Sequence, residues 1–419
     1  MIQLSTWATR RARFAFIRRD VRGVEAPLAS ATKDGVFLRT DLEYSVWNPD
    51  SDISNYKLVE PDDFVIGLRS FQHGISHSAV RGIVSPAYHV LRAVPGLEPR
   101  YYKYYFRSNL LISQLANITQ GIRQGQAIDI ESFQNLDIPV PPLAEQRRIA
   151  DFLDAETARI ASLISGIERQ RRLLDERLIS AAFEAISGIG RSVARRESGV
   201  RWLGSIPNEW PVLPVSHQFE VALGKMLNQG RVSGNYLRPY LRNTNVQWDR
   251  IDTTDLLLMD FPPGEQSRYR VLPGDLLICE GGEPGRSAIW DGSISEIYYQ
   301  KALHRVRPRG YSSSRWLFYC MRVATAQNVF AVEGNSTTIA HLTGEQLKAH
   351  RFPFPPRDEQ DAIVAELDAV SLGIRTLHQL LTRQVDLLNE RRQALITAAV
   401  TGQIDVSTAS GRGVTDGVL

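Results

Sequence analysis

Catalysis needs nucleophiles, paired acids or metal ligands at workable spacings, and this chain offers few. Glu280-Gly281-Gly282-Glu283-Pro284-Gly285-Arg286-Ser287 is the nearest approach to a phosphate-binding loop. It has one residue too few between its glycines, and it carries Arg286 where such a loop needs Lys. Asp275 followed by Glu280 hints at the carboxylate pair of a metal-dependent nuclease, but Gly282 stands where that site requires Lys. A Pro273-Gly274-Asp275 turn running into a solvated strand edge accounts for the same residues more simply. His73 and His77 have helical ligand spacing, yet Gly74 between them argues for a loop. No Gly-X-Ser-X-Gly motif is present. Cys279 and Cys320 make neither a disulfide framework nor a zinc pattern, and they fit a reducing cytosol. The expectation is a chain with no catalytic residues and no metal site.

Its loops instead carry donors suited to base edges and phosphates. Tyr236 to Trp248 interleaves Arg238, Arg242, Asn243, Asn245 and Gln247 with aromatic side chains. Arg, Asn and Gln make bidentate contacts to guanine and adenine, and the same groups position phosphates. Lys225, Asn228, Gln229 and Arg231 add to the set, as does Asn335 beside Gly334. In the first half, Arg69 and His73 lie in one such stretch, and Arg123 and Gln126 in another. Ordinary solvated loops have the same composition.

The elements that must hold these loops are written twice. PVPPLAEQRRIADFLDA from Pro139 returns as PFPPRDEQDAIVAELDA from Pro353, about half the chain later. Val59 to Ile66 likewise matches Val271 to Ile278, a Pro-X-Asp turn feeding an apolar strand. Ala87 to Val90 matches Ala302 to Val306 more weakly. The reading is α+β, with two mixed globular domains, 1–142 and 188–356, alternating with two long helices, 143–187 and 357–402, and a flexible tail, 403–419. Pro141-Pro142 and Pro355-Pro356 stop the preceding strands, and the acids that follow suit a first helical turn.

A narrow stripe runs along each helix. In the first it is Ile149, Leu153, Glu156, Ile160, Leu163, Ile167, Gln170 and Leu174. The second repeats it with Ile363, Leu367, Val370, Ile374, Leu377, Leu381, Gln384 and Leu388. Steps of four and three make a coiled-coil seam, in which Gln170 and Gln384 share one position, either a register-fixing polar site or a fraying, solvated layer. Pairing within one chain is favoured by high effective concentration, and the intervening domain lets the chain return antiparallel.

Composition bounds the rest. Apolar residues are 43% and charged residues 23%, as in ordinary globular proteins. No apolar run is long enough to span a membrane. The net charge of +3 excludes a uniformly basic nucleic-acid binder, so any such surface must come from local clusters. Arg10, Arg11, Arg13, Arg18 and Arg19 crowd the start with no acid before Asp20, which reads as a transit-like segment or, more simply, as the basic first strand of a domain.

At this point the sequence resembles the specificity (S) subunits of type I restriction-modification systems. Gly199 to Trp210, GVRWLGSIPNEW, is similar to the opening of a target-recognition domain in that family. Pro141 to Gln146 and Pro355 to Gln360 resemble its entries into the spacer helices, and Ala394 to Val406 resembles its last helix. No Trp-Leu-Gly opening precedes the first domain. The resemblance implies a non-catalytic DNA-binding subunit in which each domain reads half of a split target in double-stranded DNA. The coiled coil would set the spacing and dock methyltransferase (M) subunits, two in number, with restriction (R) subunits joining them. S-adenosylmethionine, ATP and magnesium would be bound by those partners and not by this chain, in the cytoplasm and away from any membrane. Base reading would come from loops near Arg242, Asn243, Asn245 and Arg286, with counterparts near Arg69, His73, Arg123 and Gln126. A self-contained site-specific endonuclease and a purely structural adaptor are the competing readings.

Overall fold

Two compact units make up the chain, one formed by Met1–Glu168 with Thr382–Leu419 and the other by Arg169–Leu381. The computed structural model describes residues 7–42, 53–120, 127–226, 234–332 and 341–406.

In the first unit, Thr9–Arg11 pairs antiparallel with Asp137–Pro139. One helical turn, Ala12–Ala15, leads into the main sheet. Its strands are Phe16–Arg19 (β1), Asp63–Ile66 (β2), Ser76–His77 (β3) and His89–Ala93 (β4). They are all antiparallel, in the order β1-β4-β2-β3. The arginine-rich start therefore forms the first strands of this domain. Strand β2 is buried along its whole length, as a covered inner strand should be. Ser70–His73 (α1) links β2 to β3, and Pro99–Tyr105 (α2) and Asn109–Asn117 (α3) follow β4. Helix α2 starts on a proline, and Ser108 caps α3 by accepting from Leu111 N at 3.4 Å. The core is aromatic: Phe16, Phe64, Tyr102 and Phe106 meet at ring distances of 4.9–6.0 Å. Helix Leu143–Ser187 (α4) leaves this domain after Pro141-Pro142.

The second unit repeats the plan. Val212–Pro214 pairs with Arg351–Pro353. Phe219–Leu223 (β5), Leu276–Cys279 (β6), Ser287–Ile289 (β7) and Leu303–Pro308 (β8) form a sheet in the same order, β5-β8-β6-β7, again all antiparallel. Ser314–Ala326 (α5) and Gly344–Ala349 (α6) follow, and Arg357–Val400 (α7) is the second long helix. This unit adds a three-stranded sheet with Leu237–Leu241 between Leu257–Asp260 and Tyr298–Tyr299.

Within the first unit, Ile149, Ala150 and Leu153 of α4 share a core with Ile396, Ala399 and Val400 of α7. Within the second, Ala182 and Ile186 share a core with Ile363, Val364 and Leu367. The beginning of each helix lies against the end of the other, so the two run antiparallel, as expected. Both helices close on the same glycine stop. Gly188 (φ +66°) and Gly402 (φ +70°) adopt the left-handed conformation, with Ile189 N bonded to Glu184 O at 2.9 Å and Gln403 N to Ala398 O at 2.8 Å.

The buried stripe departs from the expected heptads. Ile149, Leu153, Ile160 and Ile167 are buried, as are Ile363, Leu367, Ile374 and Leu381. Leu163 is 50% exposed and its counterpart Leu377 43% exposed, while Gln170 and Gln384 face outward. Leu174 and Leu388 are half-buried. Beyond Ile167 the line shifts through Leu178, Ala182 and Ile186. The cause is geometric: a straight helix turns every 3.6 residues, and a strict 3.5-residue template drifts off its face. Gln170 and Gln384 are therefore surface residues, not seam residues.

Candidate nucleic-acid interface

Each domain is fixed to its helix by the residues that repeat in sequence. Gln146 and Gln360 are each 1% exposed. Gln146 donates to Pro141 O at 2.8 Å and accepts from Glu98 N, the cap of α2, at 2.8 Å. Gln360 donates to Pro355 O at 2.8 Å and accepts from Ser313 N, the cap of α5, at 3.1 Å. Eight residues further along each helix's repeated motif an aspartate does similar work. Asp154 accepts from Tyr104 OH at 2.5 Å and Lys103 Nζ at 3.1 Å. Asp368 accepts from Tyr319 OH at 2.6 Å and Arg315 Nε at 2.6 Å. Burial opposes ionisation of Asp154, but the Tyr104 and Lys103 hydrogen bonds prevail and hold its carboxyl below the usual value.

The Pro-X-Asp turns are a second repeated device. Asp63, fully buried, accepts from Glu60 N at 2.8 Å, Arg19 at 2.8 Å and Arg92 at 2.7 Å. Asp275, 1% exposed, accepts from Leu272 N at 2.7 Å and takes both arms of Arg307 at 2.7 Å. Both carboxylates are committed to folding. The hint of a nuclease pair at Asp275 and Glu280 dissolves here, and among the described residues no group of three or more His, Cys, Asp and Glu is placed to hold a metal. Burial pushes the Cys279 thiol up to about 11 and raises that of Cys320 as well, so neither is a ready thiolate.

The loops hung on this frame differ between the units. In the second, the β6–β7 loop, residues 280–286, is the organiser. Arg286 donates to Asn243 O at 3.0 Å and pairs with Glu283 at 3.4 Å. Glu283 accepts from Trp248 Nε1 at 2.8 Å, and Leu342 N bonds to Glu280 O at 2.7 Å. Gly285 (φ +94°) is obligatory, because a Cβ there would lie 2.3 Å from Thr325 Oγ1 and 2.6 Å from the Phe330 ring. The loop thus gathers Asn243, Arg286 and the exposed His341 at one end of the sheet.

Several expected contacts prove to be supports. Lys225 is 2% exposed, bonded to Asp260 O at 2.5 Å, paired with Glu265 at 2.5 Å and set over the Phe261 ring. Asn245 is 3% exposed and closes its own turn, accepting from Arg242 N at 2.9 Å and donating to Asp252 O at 2.9 Å. Arg242 clamps Asp255 through its carboxylate at 2.7 Å and its carbonyl at 2.8 Å. Arg238 pairs with Glu296 at 3.1 Å. Lys225 and Asn245 are therefore withdrawn from the surface, and Arg238, Arg242 and Arg286 shape the loops from partly buried positions.

In the first unit Arg69 and His73 are exposed on and beside α1, where they line an open cavity of about 760 Å³ with Lys33, Asp34 and Tyr88. Arg123, Gln126 and Asn335, together with Asn228, Gln229 and Arg231, lie outside the described residues.

Sequence reasoning missed two signals. The buried glutamines that close each Pro-Pro entry are clamps, not mere helix starters. Trp7 also stands two residues before its strand, as Trp210 does, and packs on the first unit's core while Trp210 packs on Trp316 at 6.1 Å. Trp7 thus takes in the first unit a place like that of Trp210 in the second.

Comparison with known proteins sets this arrangement in a family. The model of the type I restriction modification DNA specificity domain matches residues 55–170 and 207–385. The EcoKI specificity subunit of Escherichia coli K12 is 21% identical over 397 residues, covering 90% of this chain and 81% of that one. The MjaVIII specificity subunit of Methanocaldococcus jannaschii is 21% identical over 287 residues, covering 67% and 64%. Among solved structures, a chain from a study of complex assembly and conformational transition of the type I R-M system superposes with a TM-score of 0.69 at 19% identity, covering 96% of this chain and 100% of that one.

Proposed function

Because this chain belongs to the type I restriction-modification DNA specificity family, we propose that it is the DNA-recognition subunit of a type I complex and carries no catalysis of its own. Each globular domain reads one half of a bipartite target in double-stranded DNA. The long helices set the spacing and dock two methyltransferase subunits, to which restriction subunits attach. S-adenosylmethionine, ATP and magnesium chemistry belongs to those partners, in the cytoplasm. One observation carries the reading: the same glutamine, aspartate and aromatic contacts fix a domain to the helices in both units, while the loops they support differ. A shared frame with unshared loops suits two independent readers.

The test is binding to a panel of single-base DNA variants at fixed salt, with the methyltransferase subunit present. Asn243→Ala should relax discrimination at one half of the target by about 1–3 kcal/mol and leave the other half unchanged. Unchanged ratios throughout would remove the 243–248 loop from base reading. Lack of any DNA binding would favour a structural adaptor, and cleavage by the chain with magnesium alone would favour the endonuclease.

A further inference from the structure

The first unit holds a cluster of cations that the frame does not neutralise. A cavity of about 740 Å³ opens between α1, α2, α3 and the two long helices of that unit. Its walls carry Lys33, Lys103, Arg107 and Arg392 against only Asp34 and Asp154. Asp154 is already taken by Tyr104 and Lys103. Among the described residues neither Arg107 nor Arg392 has an ion pair, and the buried Nε of Arg107 has no hydrogen-bond partner. A partly buried guanidinium whose inward Nε is unbonded, beside a second arginine, is costly unless an anion completes it.

The position of Arg107 is fixed. Its carbonyl accepts from Gln393 Nε2 at 2.8 Å. Gly74 (φ +81°) presses on the same backbone, since a Cβ there would sit 2.1 Å from Phe106 O and 3.1 Å from Arg107 Cα. Burial, with the charge of Arg392 adding to it, holds the Arg107 guanidinium below its usual value, and the opposing charge of Asp34 across the cavity does not outweigh them. His73, Lys33 and Asp34 line this cavity and the one beside Arg69 alike, so the two spaces adjoin.

We propose that this cavity is an oxyanion site in which Arg107 and Arg392 bind a phosphoryl group, supplied by the DNA backbone as it passes the α1 loop. The choice of source rests on the DNA-recognition reading; the site itself does not. Guanidinium pairs match phosphate oxygens by bidentate hydrogen bonding, and such contacts position a duplex without reading its bases.

Two measurements on the full chain separate these claims. In thermal melting at matched ionic strength, inorganic phosphate should raise the midpoint of the wild type above its value in chloride. Arg107→Met and Arg392→Met should each abolish that increment. Because Arg107→Met removes an unpaired charge, it should fold at least as well as the wild type, and Arg392→Met checks the site from the other wall. In DNA binding with the methyltransferase subunit present, Arg107→Met should lower the log–log salt slope by about one, with base preferences intact. A phosphate increment that survives in both variants overturns the site. An increment lost with an unchanged slope identifies a free-phosphate site and overturns the DNA source. If the wild type binds no DNA, the recognition reading fails while the melting arm still decides the cavity.

Discussion

The two units share a sheet order and a docking device yet differ in what is built around them. Strand β2 and strand β6 occupy the same place, each introduced by a turn whose aspartate is buried against arginine. Around them, the first unit builds an aromatic core from Tyr101 to Phe106, whereas the second adds a three-stranded sheet and packs Trp316 to Met321 of α5 inside. The contrast separates two jobs. Residues that hold a domain on the helices occur twice, and residues that shape its outer loops occur once.

The sharpest way to break this comparison is to remove a frame residue from each unit in turn. Asp275→Ala leaves the Leu272 N–H and the part-exposed Arg307 without their carboxylate and should cost about 2–4 kcal/mol, less than a fully buried pair because Arg307 is 30% exposed. Asp63→Ala should cost a comparable amount, since Asp63 holds two arginines and the Glu60 N–H while Glu60 continues to pair with both arginines. Urea unfolding measures both, and a neutral outcome in one unit would mean that the turns are not equivalent. Gln146→Ala and Gln360→Ala come next. Each leaves a buried capping N–H and a proline carbonyl unpaired, for about 1–3 kcal/mol. The two losses should agree within error, and a large disparity would show that one clamp is incidental.

A pH series sharpens the comparison further. His304 and His89 occupy matching places, opposite Ile278 and Ile66. His304 is fully buried and donates to Leu342 O at 2.7 Å, whereas His89 is half-buried. Burial lowers the pKa of both, with nearby Arg18 and Lys57 adding to the effect at His89. Above the unfolded value of about 6.5 both states are neutral and neither histidine affects stability. Below it the unfolded chain takes up protons first, so stability falls until the folded histidine protonates too. His304→Gln should flatten melting temperature against pH between about 7 and 5 more than His89→Gln does. Equal flattening would contradict the difference in burial. The smallest effects belong to the helix surface: Leu163→Ala and Leu377→Ala should each stay within about 1 kcal/mol, against roughly 2–5 for Ile160→Ala. A large loss at Leu377 would restore the heptad seam.

What the sequence made legible was periodic or repeated. The doubled Pro-Pro entries and the Pro-X-Asp turns are local signals, and each marks an element found in the structure. The seam was legible at Ile149, Leu153, Ile160 and Ile167 but not between the last two, where Leu163 and Ile164 are both apolar and only three-dimensional drift decides which turns inward. The candidate site was less legible for a chemical reason. Arg, Asn and Lys that can grip a base also tie a loop to itself, so composition cannot distinguish Asn243, half-exposed, from Asn245, closed into its own turn. Lys225 was misread for the same reason, because its partners Asp260 and Glu265 lie far along the sequence.

The central claim is that two domains on one repeated frame read DNA separately. Sequencing the methylated sites in a host that expresses this chain with its methyltransferase partner tests it most directly. The account predicts a bipartite motif, two defined halves around an undefined spacer, in which Asn243→Ala alters one half alone. A single contiguous motif, or a change in both halves from that one substitution, would contradict it.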